Sequence, residues 1–421
     1  MVERVKYLDL FAGAGGLSEG FIRAGYTPVA HVEMDESASY TLKTRSVYHW
    51  LISHGDLVDY NNYLRGKISR ETLYSKVPVE VVNNVVNEKI GELTIRDIFK
   101  KIDFLLNGQK LDLIIGGPPC QAYSLVGRSS DRNKMQNDER CYLYCFYVQF
   151  LKRYKPKFFV FENVIGLLSA KDSLGIKYFH EMQNAFHEAG YEIEYDVLSA
   201  DDYGVMQKRR RIFIVGRRGK SSGFFPKPKG VIIHNTISDL FADLPKIKPG
   251  EGTINGYEFD TSKSIAYLRN AQIASPDSPL TFHCARPQMQ LDLDIYRFVA
   301  NAWHEKQIRV SYDMLPDQLR TRDNMRCFKD RYKVVAGNLP ASHTIIAHIA
   351  KDGHYYIHPD VTQNRSLTPR EAARIQSFPD DYFFESVSGI PGRGPAFRQI
   401  GNAVPVLLAQ KIAEKLLENW Q

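Results

Sequence analysis

An apolar run, Tyr7-Leu8-Asp9-Leu10, passes straight into the turn Phe11-Ala12-Gly13-Ala14-Gly15-Gly16. A helical pattern follows, Leu17-Ser18-Glu19-Gly20-Phe21-Ile22-Arg23, and then a second β-like run, Pro28-Val29-Ala30-His31-Val32. Strand, glycine turn, helix and strand in that order predict a doubly wound α/β sheet. Further strands are expected at Leu111 to Ile115, Phe158 to Phe161, Tyr191 to Leu198 and Arg211 to Val215, with helices around Tyr142 to Leu151 and Tyr178 to Glu188. The loop between the last two strands is too short for a helical crossover, so they should pair antiparallel within a mostly parallel sheet.

Two stretches break this rhythm. Between Tyr60 and Gly108 the chain is polar and helical in pattern, which reads as an insertion over 60–108. From Arg217 to about Asn364 the pattern is irregular, with turns at Pro226, Pro228, Pro245 and Pro249 and basic residues among aromatics. The expected organisation is an α/β domain over 1–225, a smaller irregular domain over 226–394 and a further segment over 395–421. Thr368 followed by Pro369 and good helix formers opens a helix at Pro369, and an apolar helix follows Pro405.

At 421 residues, 43% hydrophobic and 24% charged, the chain can bury a large core. No apolar run reaches membrane-spanning length and the first residues lead into a strand pattern, so a soluble, cytoplasmic protein is expected. Five cysteines lack zinc-type spacing, and a reducing compartment suits them; Cys141 and Cys145 could meet on one helix face. A net charge of +7 permits a polyanionic partner without requiring one.

Cys120 follows the strand candidate Leu111 to Ile115 in Gly116-Gly117-Pro118-Pro119-Cys120-Gln121. Open α/β sheets place their chemistry at strand carboxyl ends, and the two prolines stiffen the approach to the thiol. An isolated cysteine is more often a small buried hydrophobe. The glycine turn with Glu33 at the end of the next strand suits a nucleoside, since a carboxylate there can accept both ribose hydroxyls. Ser18 stands where the third glycine of the dinucleotide pattern would fall, so a nicotinamide enzyme and a plain tight turn both remain open on these residues alone. Glu162 emerges from an apolar strand just before Asn163, which should leave it partly desolvated and able to hold a proton near neutrality; a helix-capping role is the alternative. In Gln207-Lys208-Arg209-Arg210-Arg211, strand alternation would set Arg209 and Arg211 on one face, although basic runs commonly form solvated surface.

Taken together, these pieces resemble the cytosine-5 DNA methyltransferase family. The ordered motifs are Asp9 to Gly16, Glu33, Gly117-Pro118-Pro119-Cys120-Gln121, Glu162-Asn163-Val164, Gln207 to Arg211, Arg370 to Pro379, and Gly401-Asn402-Ala403-Val404-Pro405. The resemblance implies catalysis by Cys120, Glu162 and Arg211, with Arg209 adding positive potential near the thiolate. It implies S-adenosylmethionine lying across Phe11, Ala12, Gly13, Gly15, Gly16 and Leu17, with Glu33 on the ribose, Met34 beside the adenine, and Pro118, Asn402 and Val404 completing the pocket. Asp56 is the expected contact to the adenine amine, with Asp97 as competitor. Pro119, Gln121, Ser124, Asn163, Val164 and Gln207 are expected around a flipped cytosine, under a lid containing Ser124, Gly127, Arg128, Ser129 and Ser130. The irregular domain would then be a target-recognition domain, with Arg286, Arg322, Arg326, Lys329, Arg331 and Lys333 as candidate DNA contacts. Arg370 and Arg374 would anchor its organising helix. The expected partner is double-stranded DNA, for a monomer paired with a companion restriction endonuclease. A transfer RNA cytosine-5 methyltransferase of the same fold is the nearest alternative, and a non-catalytic nucleic-acid-binding regulator is the one from another class.

Overall fold

A computed structural model of the chain describes residues 4–119, 142–172, 175–219, 222–275, 277–320 and 329–420. The central sheet contains β1 (Lys6–Leu10), β2 (Thr27–Glu33), β3 (Val85–Asn87), β4 (Leu113–Gly116), β5 (Phe158–Asn163), β6 (Tyr191–Ser199) and β8 (Arg210–Arg218), in the order β3-β2-β1-β4-β5-β8-β6. Strands β1 to β5 pair in parallel, while β8 lies between β5 and β6 and runs against both. The antiparallel pairing expected for β6 and β8 is therefore present. It puts the amino end of β8 on the same edge as the carboxyl ends of the other strands.

Strand alternation divides the apolar residues between two layers. Tyr7, Leu113, Ile115, Phe158 and Val160 face one core, while Leu8, Leu10, Ile114, Phe159 and Phe161 face the other. The first core is covered by α1 (Gly16–Arg23), α2 (Glu36–Ser53) and the carboxyl-terminal helix Val406–Glu418; the second is covered by the helices Ile95–Leu106, Leu143–Tyr154 and Tyr178–Glu188. A Cβ on Gly20 of α1 would lie 2.5 Å from the Ala409 side chain, so a bare glycine face lets the last helix close against the first. The two ends of the chain thereby share one layer.

Within the expected insertion, β3 is the sheet's edge strand and Ile95–Leu106 covers the second core. Between α2 and β3 lie the short helices α3 (Val58–Leu64), α4 (Arg70–Tyr74) and α5 (Val79–Asn83). Three strand residues ending in Asn are too few to show periodicity, which is why β3 escaped a reading by pattern.

A separate small core forms from Ile295, Tyr296, Val299, Ala300, Val310, Tyr312, Leu315, Val334 and Ile357. The flanking irregular segments instead bury Ile237, Leu240, Phe282, Val335, Ile345, Leu367 and Phe378 in the first core of the sheet. Arg370 and Arg374 are completely buried in the helix Pro369–Ile375. Arg370 donates to the carbonyls of Thr281, Pro379 and Tyr382, and Arg374 pairs with Asp243 and Asp380. These bonds tie the helix to the segments around Asp243, Thr281 and Asp380. Among the described residues no helix is long and apolar enough to cross a membrane.

Candidate active site

The turn after β1 is held in a conformation that few side chains tolerate. Phe11 (φ 57°), Gly13 (φ 56°) and Gly15 (φ 80°) all have positive φ, and Gly15 opens α1. This aims the Gly13 N–H at Glu33, which accepts it on Oε2 at 2.7 Å and accepts the Asp35 N–H on Oε1 at 2.7 Å. Burial pushes the Glu33 carboxyl above its usual range, against those two stabilising hydrogen bonds. Each carboxylate oxygen retains acceptor capacity for a ligand hydroxyl. Met34 beside it is 58% exposed, an apolar surface available to a flat ring.

The carboxyl-terminal segment closes this turn from behind. A Cβ on Gly16 would meet the Val404 carbonyl oxygen at 2.4 Å, and Tyr382 donates its hydroxyl to the Ala14 carbonyl at 2.5 Å. Val404 and Leu17 are buried, whereas Asn402 is exposed. Gly13, Glu33, Met34, Asn402 and Val404 thus surround one end of the sheet.

Asp56 and Asp97 occupy different places. Asp56 lies beyond the end of α2 and accepts the Val58 N–H, at the foot of α3. Asp97 projects from the first turn of Ile95–Leu106, where it pairs with Lys100 at 2.8 Å. The polar side chain at the carboxyl end of β3 is Asn87, whose amide donates to the Glu33 carbonyl and to Ser39 Oγ, both at 2.9 Å. Its position beside Glu33 emerges only with β3.

At the carboxyl end of β4 the backbones come unusually close. A Cβ on Gly116 would sit 1.9 Å from the Leu10 carbonyl oxygen, and one on Gly117 would sit 1.9 Å from the Glu162 carbonyl oxygen. Only glycine fits at either position. The chain then rises through Pro118 and Pro119 to the last described residue before Cys120. Asn163, 1% exposed, donates its amide to the Pro118 carbonyl at 3.2 Å and accepts the Val164 N–H on its own oxygen. It therefore fastens Pro118, two residues before Cys120, to β5. Cys120, Gln121, Ser124 and the expected lid residues Gly127, Arg128, Ser129 and Ser130 lie outside the described residues.

Beside Asn163, Glu162 Oε1 faces Arg211 Nε at 2.9 Å, with 17% and 14% of the two side chains exposed. Residues from a parallel strand and from the reversed strand meet here, at one partly open edge. Arg209 is not on this face. The chain breaks between β7 (Gln207–Lys208) and β8, so alternation does not carry across, and Arg209 turns inward to 1% exposure. Its guanidinium donates to the carbonyls of Ile345, Gly401 and Asn402. Gln207 is likewise fully buried, donating to Gln376 and accepting from the Ile345 N–H, which removes it from a substrate surface.

Among the candidate DNA contacts, Arg286 is committed to the carbonyls of Ile349, Ala350 and Lys351, and Arg331 pairs with Asp352 at 3.2 Å. Lys329 is exposed, while Arg322 and Arg326 lie outside the described residues.

Residues 5–63 and 81–418 match the family model of C-5 cytosine-specific DNA methylase, leaving unmatched the stretch that holds α4. The type II methyltransferase M.Bpa9945I of Bacillus paralicheniformis is 38% identical, over 96% of this chain and 97% of its own length. The type II methyltransferase M.DdeI of Desulfomicrobium norvegicum is 31% identical, over 97% and 88%. Among solved structures, a prophage-encoded E. coli protein described as a DNA modification methyltransferase superposes with a TM-score of 0.61 over 99% of both chains, at 22% identity. With the family model covering nearly the whole chain and full-length relatives above 30% identity, this chain belongs to the C-5 cytosine-specific DNA methylase family and is a DNA (cytosine-5-)-methyltransferase.

Proposed function

We propose that the enzyme methylates carbon 5 of a cytosine flipped out of duplex DNA, through a transient bond between Cys120 and carbon 6, as the modification enzyme of a restriction system. The observation that carries this reading is the Glu162–Arg211 pair at 2.9 Å, next to the residue that fastens Pro118, two residues before Cys120. Ring nitrogen 3 and the 2-keto oxygen of cytosine are adjacent, so two adjacent groups of opposite character can meet them together.

The residues of the glycine turn fit S-adenosylmethionine. Glu33 retains free acceptor positions for the ribose, Met34 offers apolar surface to the adenine, and Asn87 stands at the neighbouring strand end. When bound, that cofactor supplies an electrophilic methyl group. Carbon 5 of cytosine is a poor nucleophile until the Cys120 thiolate adds at carbon 6 and pushes electron density onto it. Glu162 delivers or shares a proton at nitrogen 3 while Arg211 binds the 2-keto oxygen, which together stabilise the charge created by addition. After methyl transfer, carbon 5 gives up its proton to a base, and the electron pair left behind expels the Cys120 sulfur.

DNA carrying 5-fluorocytosine at the target tests this sequence, because fluorine cannot leave as a proton. The expected result is a complex stable to denaturant with the wild-type enzyme and none with Cys120→Ser. An active enzyme that forms no such complex would overturn the covalent route.

A further inference from the structure

The small second core carries a cavity of about 140 Å³ lined by Arg309, Ser311, Asp330, Tyr332, Lys333 and Tyr355, over an apolar floor that includes Val299 and Val334. Its two cations are presented in a particular way. The Arg309 guanidinium lies 4.8 Å from the Trp303 ring, and Trp303 is itself fixed by a 2.9 Å bond from its indole N–H to Asn338. Lys333 is half-buried, with its ammonium 4.9 Å from the Tyr355 ring and 3.4 Å from that residue's hydroxyl. Among the described residues neither cation forms an ion pair within 4 Å, although Asp330 lines the same cavity. Burial and the neighbouring Arg309 lower the affinity of Lys333 for its proton, against the opposing pull of Asp330. Two cations facing one cavity outnumber Asp330, the one carboxylate in its lining, and so favour an anion between them.

The cavity is joined to β7 through Tyr355 and His343. Tyr355 packs edge-on against His343 at 5.2 Å, and accepts the His343 ring N–H on its carbonyl at 2.7 Å. His343 belongs to the two-residue strand Ser342–His343, which pairs with β7, and Thr344 donates to the Lys208 carbonyl. Lys208 lies three positions before Arg211 in the sequence.

We propose that Arg309 and Lys333 together hold one backbone phosphate of the DNA, seating the duplex beside the active edge. This assignment rests on the duplex substrate argued above. The phosphate oxygens would take the guanidinium N–H groups and the ammonium, with the hydroxyls of Ser311 and Tyr355 within the same cavity. A phosphate contact positions the duplex without reading its sequence.

The test measures equilibrium binding of the full-length enzyme to a target duplex and to a scrambled duplex, across a salt series, for wild type, Arg309→Ala, Lys333→Gln and the double variant. Each single variant is expected to weaken binding about tenfold near 0.1 M salt, equally for both duplexes. The double variant should lose less than the product of the two, and its slope of log affinity against log salt should fall by about 0.9, the value for one phosphate. Arg309→Lys should recover most of the loss, and unchanged thermal unfolding would show that each variant is folded. Unchanged affinity and slope in the folded Arg309→Ala variant would overturn the assignment. So would a loss confined to the target duplex, which would indicate a base edge instead. If wild type itself shows no salt-dependent duplex binding, the duplex substrate fails and this site fails with it.

Discussion

Arg209 and Arg211 stand two positions apart, yet their surroundings give them opposite kinds of work. Arg211 keeps its guanidinium at the partly open edge against Glu162, whereas Arg209 spends its donors on three backbone carbonyls in the interior. Arg211→Ala should therefore leave the fold nearly as stable as wild type while lowering the methylation rate at least a hundredfold. Arg209→Ala strips partners from buried carbonyls and should cost on the order of 3 kcal/mol of stability, read as an earlier urea midpoint. Finding both effects in either variant alone would contradict this division. Asn163 offers a related contrast, because its amide reaches the Pro118 carbonyl, two residues before Cys120. Asn163→Ala should lower kcat by roughly ten- to a hundredfold through misplacement of the nucleophile, with the cofactor KM unchanged. A rise in cofactor KM with kcat intact would assign Asn163 to the other pocket.

At the scale of elements, the glycines set how closely strands and loops approach. Gly117→Ala would drive a methyl group into the Glu162 carbonyl oxygen, so the end of β4 must shift away from β5. The expected cost is at least 1–3 kcal/mol of stability, together with loss of 5-fluorocytosine trapping; a variant of full activity and unchanged unfolding temperature would refute the close approach. Such positions also explain what the sequence made legible. The strand, glycine turn and helix at the start, the Gly-Gly-Pro-Pro approach to Cys120 and the Glu162-Asn163 strand end are local patterns, and local patterns survive without knowledge of the fold. Asn87 was hidden because β3 has three residues and takes its place only by pairing with β2. The inward turn of Arg209 was hidden for the converse reason. A strand break at that residue is imposed by the pairing of β7 with Ser342–His343, more than a hundred positions away in the chain.

At the scale of the whole molecule, buried titratable groups join segments distant in sequence and make stability depend on pH. Tyr60 and Arg70, from the short helices after α2, donate to the carbonyls of Asp381 and Ser386, and Tyr63 donates to the Glu385 carboxylate at 2.5 Å. Burial pushes Glu385 up to about 7, despite hydrogen bonds from Thr44 and Tyr63 and the nearby Arg70. Elsewhere, burial pushes His283 down to about 4 and His343 down to about 3. His283 lies where Pro245 and Thr368 meet, and His343 lies beside the proposed phosphate site. The two kinds of group act in opposite directions. As pH falls from 6.5 toward 4, the unfolded chain protonates both histidines while the folded chain keeps them neutral, so each removes stability, on the order of 3 kcal/mol for His283. Over about 4.5 to 7 the folded state holds the Glu385 proton more tightly than the unfolded state does, so this group contributes most at acid pH and its contribution disappears as pH rises through 7. Burial holds His354 and His358 down as well, and the histidines together outweigh the carboxyls of Glu385, Glu33 and Asp9 that burial raises, so the urea midpoint should fall between pH 7 and pH 5. His283→Gln should flatten that fall. Glu385→Gln should steepen it, because one of the opposing carboxyls has gone, while raising stability at pH 8 relative to wild type. A wild-type midpoint that climbs on acidification, or a Glu385→Gln profile flatter than wild type, would show that other groups control the pH response.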